Sequence, residues 1–293
     1  MTDRHVQRGY ALRGLVLLAA AAFTLAGCSP DNAASNSSTT TGTGSSGTAA
    51  VTLSTPGTLT VCSNVPFKPM EYNDDNGQTV GFDIDLMQLV ATKLNVKMNV
   101  VATDFDQITS GAVFAANKCD IGASAITITD ARKQAVLFSE PYFSATQVLV
   151  AKTDSGINSL SDLSGKTLAV QTATTGNDYA DAHATEDGYT VKTWDDASAA
   201  LSAILSGGAD ACLVDRAVAY SFVADNSSTV KAATEIQTGE DYGFAAKAND
   251  PNAAALMAVV NGVLNTANTD GTYLKIYQKW IDPDATSASL PTD

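Results

Sequence analysis

From Leu59 onward, short runs rich in β-branched residues alternate with stretches that carry apolar residues at helical spacing. This alternation constrains the fold more than any other feature of the chain, because strands separated by helical crossovers build βαβ units around a mostly parallel sheet. Leu59–Cys62, Val96–Val101 and Ile121–Ala125 read as strands. Asp83–Leu94 and Asp106–Asn117 read as helices, the first with Leu86, Leu89, Val90 and Leu94 on one face. After Pro141, the β-rich segment Tyr142–Lys152 opens a second series. Its strands are Thr167–Val170, Tyr189–Thr193 and Ala211–Val214, and its helices Tyr179–Ala184, Asp195–Leu205 and Arg216–Ala224. Two further helices, Pro251–Thr266 and Thr272–Trp280, close the chain. Two α/β series imply two lobes. The pattern leaves open to which lobe the last helices belong.

Ahead of the first strand lies a different kind of sequence. Arg4, Arg8 and Arg13 precede the apolar run Gly14–Phe23, too short for a stable membrane span, and Leu25-Ala26-Gly27-Cys28 follows. This is an export signal over residues 1–27, and its end resembles the bacterial lipobox, whose cysteine is diacylated. Cys28 is therefore the expected lipidation site, which would hold the protein outside the cytoplasm on the cell membrane through acyl chains such as palmitate. Residues 28–55 are dominated by Ser, Thr, Gly, Asn and Ala, and are expected to form a flexible linker.

Without residues 1–27 the chain keeps 14 basic and 30 acidic residues, a net charge of −16. Such a charge repels nucleic acid, so no nucleic-acid partner is expected. His183 is the only histidine beyond the signal, and no two cysteines have metal-ligand spacing. No metal site, cofactor or histidine-based acid–base chemistry is expected. With Cys28 lipidated, Cys62, Cys119 and Cys212 remain, an odd number. Cys62 and Cys119 lie near the first and third strands, which neighbour each other in many doubly wound sheets. They are either a disulfide or two buried thiols.

Open α/β sheets bind ligands where strands end and helices begin. After the third strand, Thr129 or Asp130 caps a helix with Arg132 in its first turn, where the helix dipole opposes a cation. Arg132 is either a tolerated surface arginine or the fork that grips an anion. Asp215, after Ala211–Val214, is either a helix cap or the acceptor for an ammonium. Gln171 to Gly176 form a capped turn or offer hydroxyls and backbone N–H groups to a carboxylate. Phe67 and Phe105 are core aromatics or walls around an apolar stem.

Five blocks then carry a resemblance. Gly81-Phe82-Asp83-Ile84-Asp85-Leu86, Ile126 to Arg132, Phe138-Ser139-Glu140-Pro141-Tyr142, Asp162 to Lys166, and Gly271-Thr272-Tyr273 with Lys279-Trp280 resemble, in order, motifs of the polar amino-acid-binding proteins of bacterial extracellular solute-binding family 3. The resemblance implies a Venus-flytrap α/β fold with two hinge strands. Lobe 1 would comprise 56–141 and 243–283, and lobe 2 residues 147–239. The hinges would lie at 142–146 and 240–242, and 284–293 would be a flexible tail. It also implies that Arg132 binds a ligand α-carboxylate, that Thr127 contributes a hydroxyl, and that Asp215 binds the α-amino group. Asn64, Phe67, Phe105 and Ala125 complete the expected contacts from lobe 1, and Gln171, Thr174 and Thr175 those from lobe 2. Glu71 is expected to be structural.

Basic-amino-acid binders of the family carry aspartate where Asn64 stands. Several members have lysine or arginine at Gln171, and glycine at Ala173 and Thr175. Uncharged groups at these places favour a neutral amide side chain, with a basic one second. The implied function is that of a monomeric, lipid-anchored receptor delivering a polar amino acid to the permease of an ABC importer. The alternatives are a cleft enzyme of the same fold, of the prephenate or arogenate dehydratase type, and a ligand-sensing module.

Overall fold

The computed structural model describes residues 51–292. The signal segment, Cys28 and the linker up to residue 50 lie outside the described residues.

The first lobe starts with β1 (Thr58–Ser63), the hairpin of β2 (Tyr72–Asn73) and β3 (Thr79–Val80), and α1 (Phe82–Leu94). It continues with β4 (Lys97–Ala102), α2 (Phe105–Thr109), α3 (Ala112–Ala115), β5 (Ile121–Gly122), α4 (Asp130–Lys133) and β6 (Val136–Phe138). Strand β7 (Phe143–Lys152) enters the second lobe. There follow a 3-10 turn (Leu160–Leu163), β8 (Thr167–Gln171), α5 (Thr175–Asp187), β9 (Thr190–Trp194) and α6 (Ala197–Ser206). Strand β10 (Ala211–Asp215), α7 (Arg216–Asp225) and β11 (Val230–Tyr242) complete that lobe. The chain then returns to the first lobe as β12 (Ala245–Lys247), α8 (Pro251–Asp270) and α9 (Thr272–Trp280).

Each lobe holds one five-stranded sheet, ordered β4-β1-β5-β12-β6 and β11-β7-β10-β8-β9. Both are mixed rather than mostly parallel. In the first, β12 runs antiparallel to β5 and β6; in the second, β7 runs antiparallel to β10 and β11. The sequence pattern missed β11, since its exposed positions carry Glu235, Gln237 and Gly239 and it lacks a run of apolar residues. The expected helix Asp106–Asn117 is broken in two at Gly111, whose φ of 77° is left-handed. The expected strand to Ala125 stops at Gly122, and Ala125 itself is left-handed at φ 46°.

The block Gly81 to Asp85 shows how short motifs organise the lobe. A Cβ on Gly81 would lie 2.1 Å from the Met70 carbonyl oxygen, so only glycine fits. Phe82 is fully buried and packs on Tyr142, Phe143, Tyr273 and Tyr277 at the crossing between lobes. Asp83, also fully buried, accepts from the Ala125 N–H at 2.9 Å and from the Tyr142 hydroxyl. Asp85 accepts from Lys279 Nζ and Trp280 Nε1, both at 2.7 Å, which pins α9 to α1. The last helices therefore belong to the first lobe.

Two expected flexible segments pack instead. Val51 and Leu53 lie against the core, and Thr52 exchanges two hydrogen bonds with Asn252. Residues 51–53, counted in the expected linker, are thus packed on the first lobe. At the other end Leu290 is buried and its N–H donates to Asn268 Oδ1 at 3.3 Å, because the tail folds back over α8.

Cys62 and Cys119 are joined as a disulfide, while Cys212 is free and buried. The bond closes a loop of 57 residues. A loop of that length lowers the entropy of the unfolded chain enough to stabilise by about 2–4 kcal/mol. Reduction, or the pair Cys62→Ser/Cys119→Ser, is expected to lower the melting temperature by several degrees; an unchanged melting curve would remove this contribution.

Candidate functional site

A cleft of about 420 Å³ lies between the lobes. All ten residues expected from the sequence line it, together with Ser124, Gln147, Leu213 and Val214. Among the lining residues Arg132 is the only cation and Asp215 the only anion. Neither takes part in an ion pair among the described residues.

Local structure explains how Arg132 reaches the cleft. Thr129 caps α4 by accepting the Arg132 N–H at 3.1 Å. The helix is one turn long, so Arg132 stands in its first and last turn alike, and the expected penalty from the helix dipole has little substance. Two carbonyls hold the guanidinium instead: Nη1 donates to Thr127 O at 2.8 Å and Nη2 to Ala173 O at 2.9 Å. The Phe105 ring lies 5.2 Å from its Cζ, a cation–π contact on the group.

Ala173 belongs to the second lobe, so Arg132 bridges the cleft. Gln171 does the same from the other side, donating Nε2–H to Asn64 Oδ1 at 2.8 Å and to the Asp195 carbonyl at 3.1 Å. Asn64 in turn donates Nδ2–H to Thr103 O. Backbone carbonyls anchor both ends of this pair, so the orientation of each amide follows. Both N–H groups of Gln171 are committed, and its Oε1 is the uncharged acceptor left over. At the cleft rim Lys68 and Asp225 add an exposed ion pair between lobes at 2.8 Å, a contact of small energetic weight.

Five non-glycine residues have positive φ among the described residues. Three are asparagines, which tolerate it; the others are Ala125 and Ala173, both at the cleft. Strain there aims the Ala173 carbonyl at Arg132 and the Ala125 N–H at Asp83. Thr174 caps α5: its hydroxyl donates to Gln171 O and accepts from the Asn177 N–H. That hydroxyl is spent, so what this turn offers a ligand are backbone N–H groups at a helix N-terminus.

Asp215 precedes α7, yet its side chain makes no capping bond. Its carboxylate instead accepts from the Tyr242 hydroxyl and from Gln147 Nε2. Burial pushes its pKa up to about 6 and the neighbouring Glu240 adds to this, against the two donors and Arg132. Glu71 and Asp83 lie behind the cleft, fully buried. Glu71 accepts the Ser124 hydroxyl at 2.7 Å, and Ser124 Oγ accepts the Asn64 N–H at 2.9 Å. This chain positions Asn64, in line with the structural role expected of Glu71. Burial raises Glu71 well above the usual carboxylate range and takes Asp83 to about 7.

Sequence reasoning missed Ser124 and Gln147. Ser124 stands just ahead of the expected contact Ala125, and that adjacency is its only signal in the sequence. Gln147 gave no signal, because it sits inside a strand of buried apolar residues.

The buried acids make the stability of the fold depend on pH. Their folded pKa values exceed those of the unfolded chain, so near pH 5 the native state holds protons that the unfolded state has lost. Their stabilisation is complete below about pH 4 and is lost as pH rises through about 6 and 7. The ligand-free protein is expected to be more stable at pH 5 than at pH 8 by on the order of 3 kcal/mol. Melting curves across this range check it, and a flat profile would mean that the acids stay ionised.

Known proteins show the same architecture. The profile of the bacterial extracellular solute-binding proteins, family 3, matches residues 59–283. A probable histidine-binding protein of Neisseria gonorrhoeae is 30% identical over 248 residues, 82% of this chain and 90% of the relative. An ancestral arginine-binding protein solved with arginine superposes with a TM-score of 0.71 at 40% identity, covering 76% of this chain and 98% of the other. An ancestral arginine-binding protein solved with glutamine gives 0.71 at 39% identity, covering 78% and 99%. A profile match over most of the chain, two mixed α/β lobes and a cleft between them agree: the chain belongs to the bacterial extracellular solute-binding proteins, family 3.

Proposed function

We propose that this protein is the amino-acid receptor of an ABC importer, and that it takes its ligand as a zwitterion between Arg132 and Asp215. The observation that carries the reading is the charge pattern of the cleft, one unpaired cation facing one unpaired anion in a cavity otherwise neutral. The ligand carboxylate sits against Arg132 and the N–H groups opening α5, and the ammonium against Asp215. The side chain runs past Phe67 and Phe105 toward Asn64 and Gln171, whose free acceptor is uncharged. That favours a neutral amide such as glutamine, with a basic side chain second; similar proteins solved with glutamine and with arginine support both. A ligand touching both lobes at once favours the closed arrangement, which is the form a permease would read.

The receptor acts as a monomer, held outside the cell membrane by lipid on Cys28. The charged, apolar and small-residue segments before that cysteine support the anchor. A thermal-shift screen over the twenty amino acids, with prephenate alongside, tests the reading. Stabilisation by one or a few polar amino acids is expected. Silence across the amino acids, or turnover of prephenate, would overturn it in favour of another ligand or of the enzyme.

A further inference from the structure

Gln147 lies on β7, one of the two strands that join the lobes, and is fully buried in the cleft wall. Its amide nitrogen donates to Asp215 Oδ1 and to Glu240 Oε2, the latter at 3.0 Å. These two carboxylates fix the orientation, because the flipped amide would set its oxygen against both of them. Both N–H groups are then committed. Gln147 Oε1 is left buried without a hydrogen-bond partner among the described residues.

Room beside that oxygen is kept by Gly176, in the first turn of α5. A Cβ there would lie 2.9 Å from Gln147 Oε1. An acceptor buried without a donor is unfavourable unless something donates to it on binding. The surroundings also select the donor. Asp215 and Glu240 make this corner negative, which repels a ligand carboxylate and attracts a cationic N–H.

We propose that Gln147 is a ligand-binding residue whose Oε1 accepts one N–H of the ligand's α-ammonium while Asp215 accepts another. The proposal rests on the amino-acid reading above and deepens it, since it defines the class of ligand head group. A primary ammonium has protons for both acceptors and for a third group. A 2-hydroxy acid has one proton to donate and leaves Gln147 without a partner.

Calorimetric titration of wild type and Gln147→Met with L-glutamine and L-arginine, each beside its 2-hydroxy counterpart, tests this. The variant is expected to lose about tenfold or more in affinity for the amino acids, and about threefold or less for the hydroxy acids. Equal losses on both would reduce Gln147 to a residue that merely holds Asp215, and would overturn the proposal. Gly176→Ala is the second variant. Its added Cβ meets Gln147 Oε1 before any other atom, and should reproduce the selective loss; unchanged selectivity there would count against the contact. Wild type that binds neither amino acid would instead refute the amino-acid reading, and the proposal would fall with it.

Discussion

Arg132→Ala is expected to weaken amino-acid binding by about 3–5 kcal/mol, a loss of some hundred- to several-thousand-fold, while the fold persists. The ligand carboxylate would enter the closed cleft with no cation beside it, and the N–H groups opening α5 cannot replace a full charge. Stability should change less, because Arg132 is half-buried and its side chain is held by two carbonyls and one face of Phe105 rather than by an ion-pair partner. Arg132→Lys should rescue little. The guanidinium already spends one N–H on Thr127 O and another on Ala173 O, and it still presents donors to a ligand; an ammonium cannot hold that planar geometry. Isothermal titration decides, and affinity within twofold of wild type would remove Arg132 from the site.

The second large effect belongs to Asp215. Asp215→Asn is expected to weaken binding of the free amino acid by about 3 kcal/mol, since the ammonium loses its counter-charge in a buried setting. An N-acetylated ligand, whose ammonium is gone, should lose much less between wild type and variant. Equal losses would leave Asp215 a structural residue. Wild-type affinity should also fall as pH drops below about 6, where the buried carboxyl takes up a proton and can no longer face a cation. Arg132 keeps its charge over that range, so the carboxylate half of the site is unaffected. In Asp215→Asn this pH dependence should flatten. A wild-type affinity constant from pH 8 to pH 5 would contradict the assignment.

Under the proposed reading, the residues that would recognise the ligand also join the lobes. Arg132 and the Asn64–Gln171 pair each join the lobes directly, and Asp215 is tied through Tyr242 to the crossing strand. Tyr242 stacks on Phe143, and Tyr142 stacks on Phe244 at 4.1 Å between centroids. The aromatic layer at the crossing therefore connects directly to Asp215 in the cleft. A ligand that engages Arg132 and Asp215 acts on both lobes and on the strands between them.

The chain's local pattern by itself determined the two α/β series and the boundaries of α1 and α9 to within a residue, and its resemblance to the family pointed to ten of the fourteen residues that line the cleft. Those features are written in short stretches: apolar spacing, caps such as Thr129, and motif blocks in which each residue has a local duty. Only the tertiary structure decided the rest. The antiparallel course of β11 was invisible because its partners on β7 lie from 78 residues away (Val230 with Lys152) to 99 (Tyr242 with Phe143), and its exposed edge needs no apolar pattern. The terminal helices' return to the first lobe, implied by the family resemblance but not by the local pattern, depends on Asp85 meeting Lys279 and Trp280, a contact across 194 and 195 residues. The disulfide required β1 and the turn before β5 to come side by side, and sequence spacing says nothing of distance. Gln147 is the clearest case. In sequence it is one polar residue in an apolar strand, and it gains meaning only where folding brings two carboxylates to its nitrogen and leaves its oxygen without a donor.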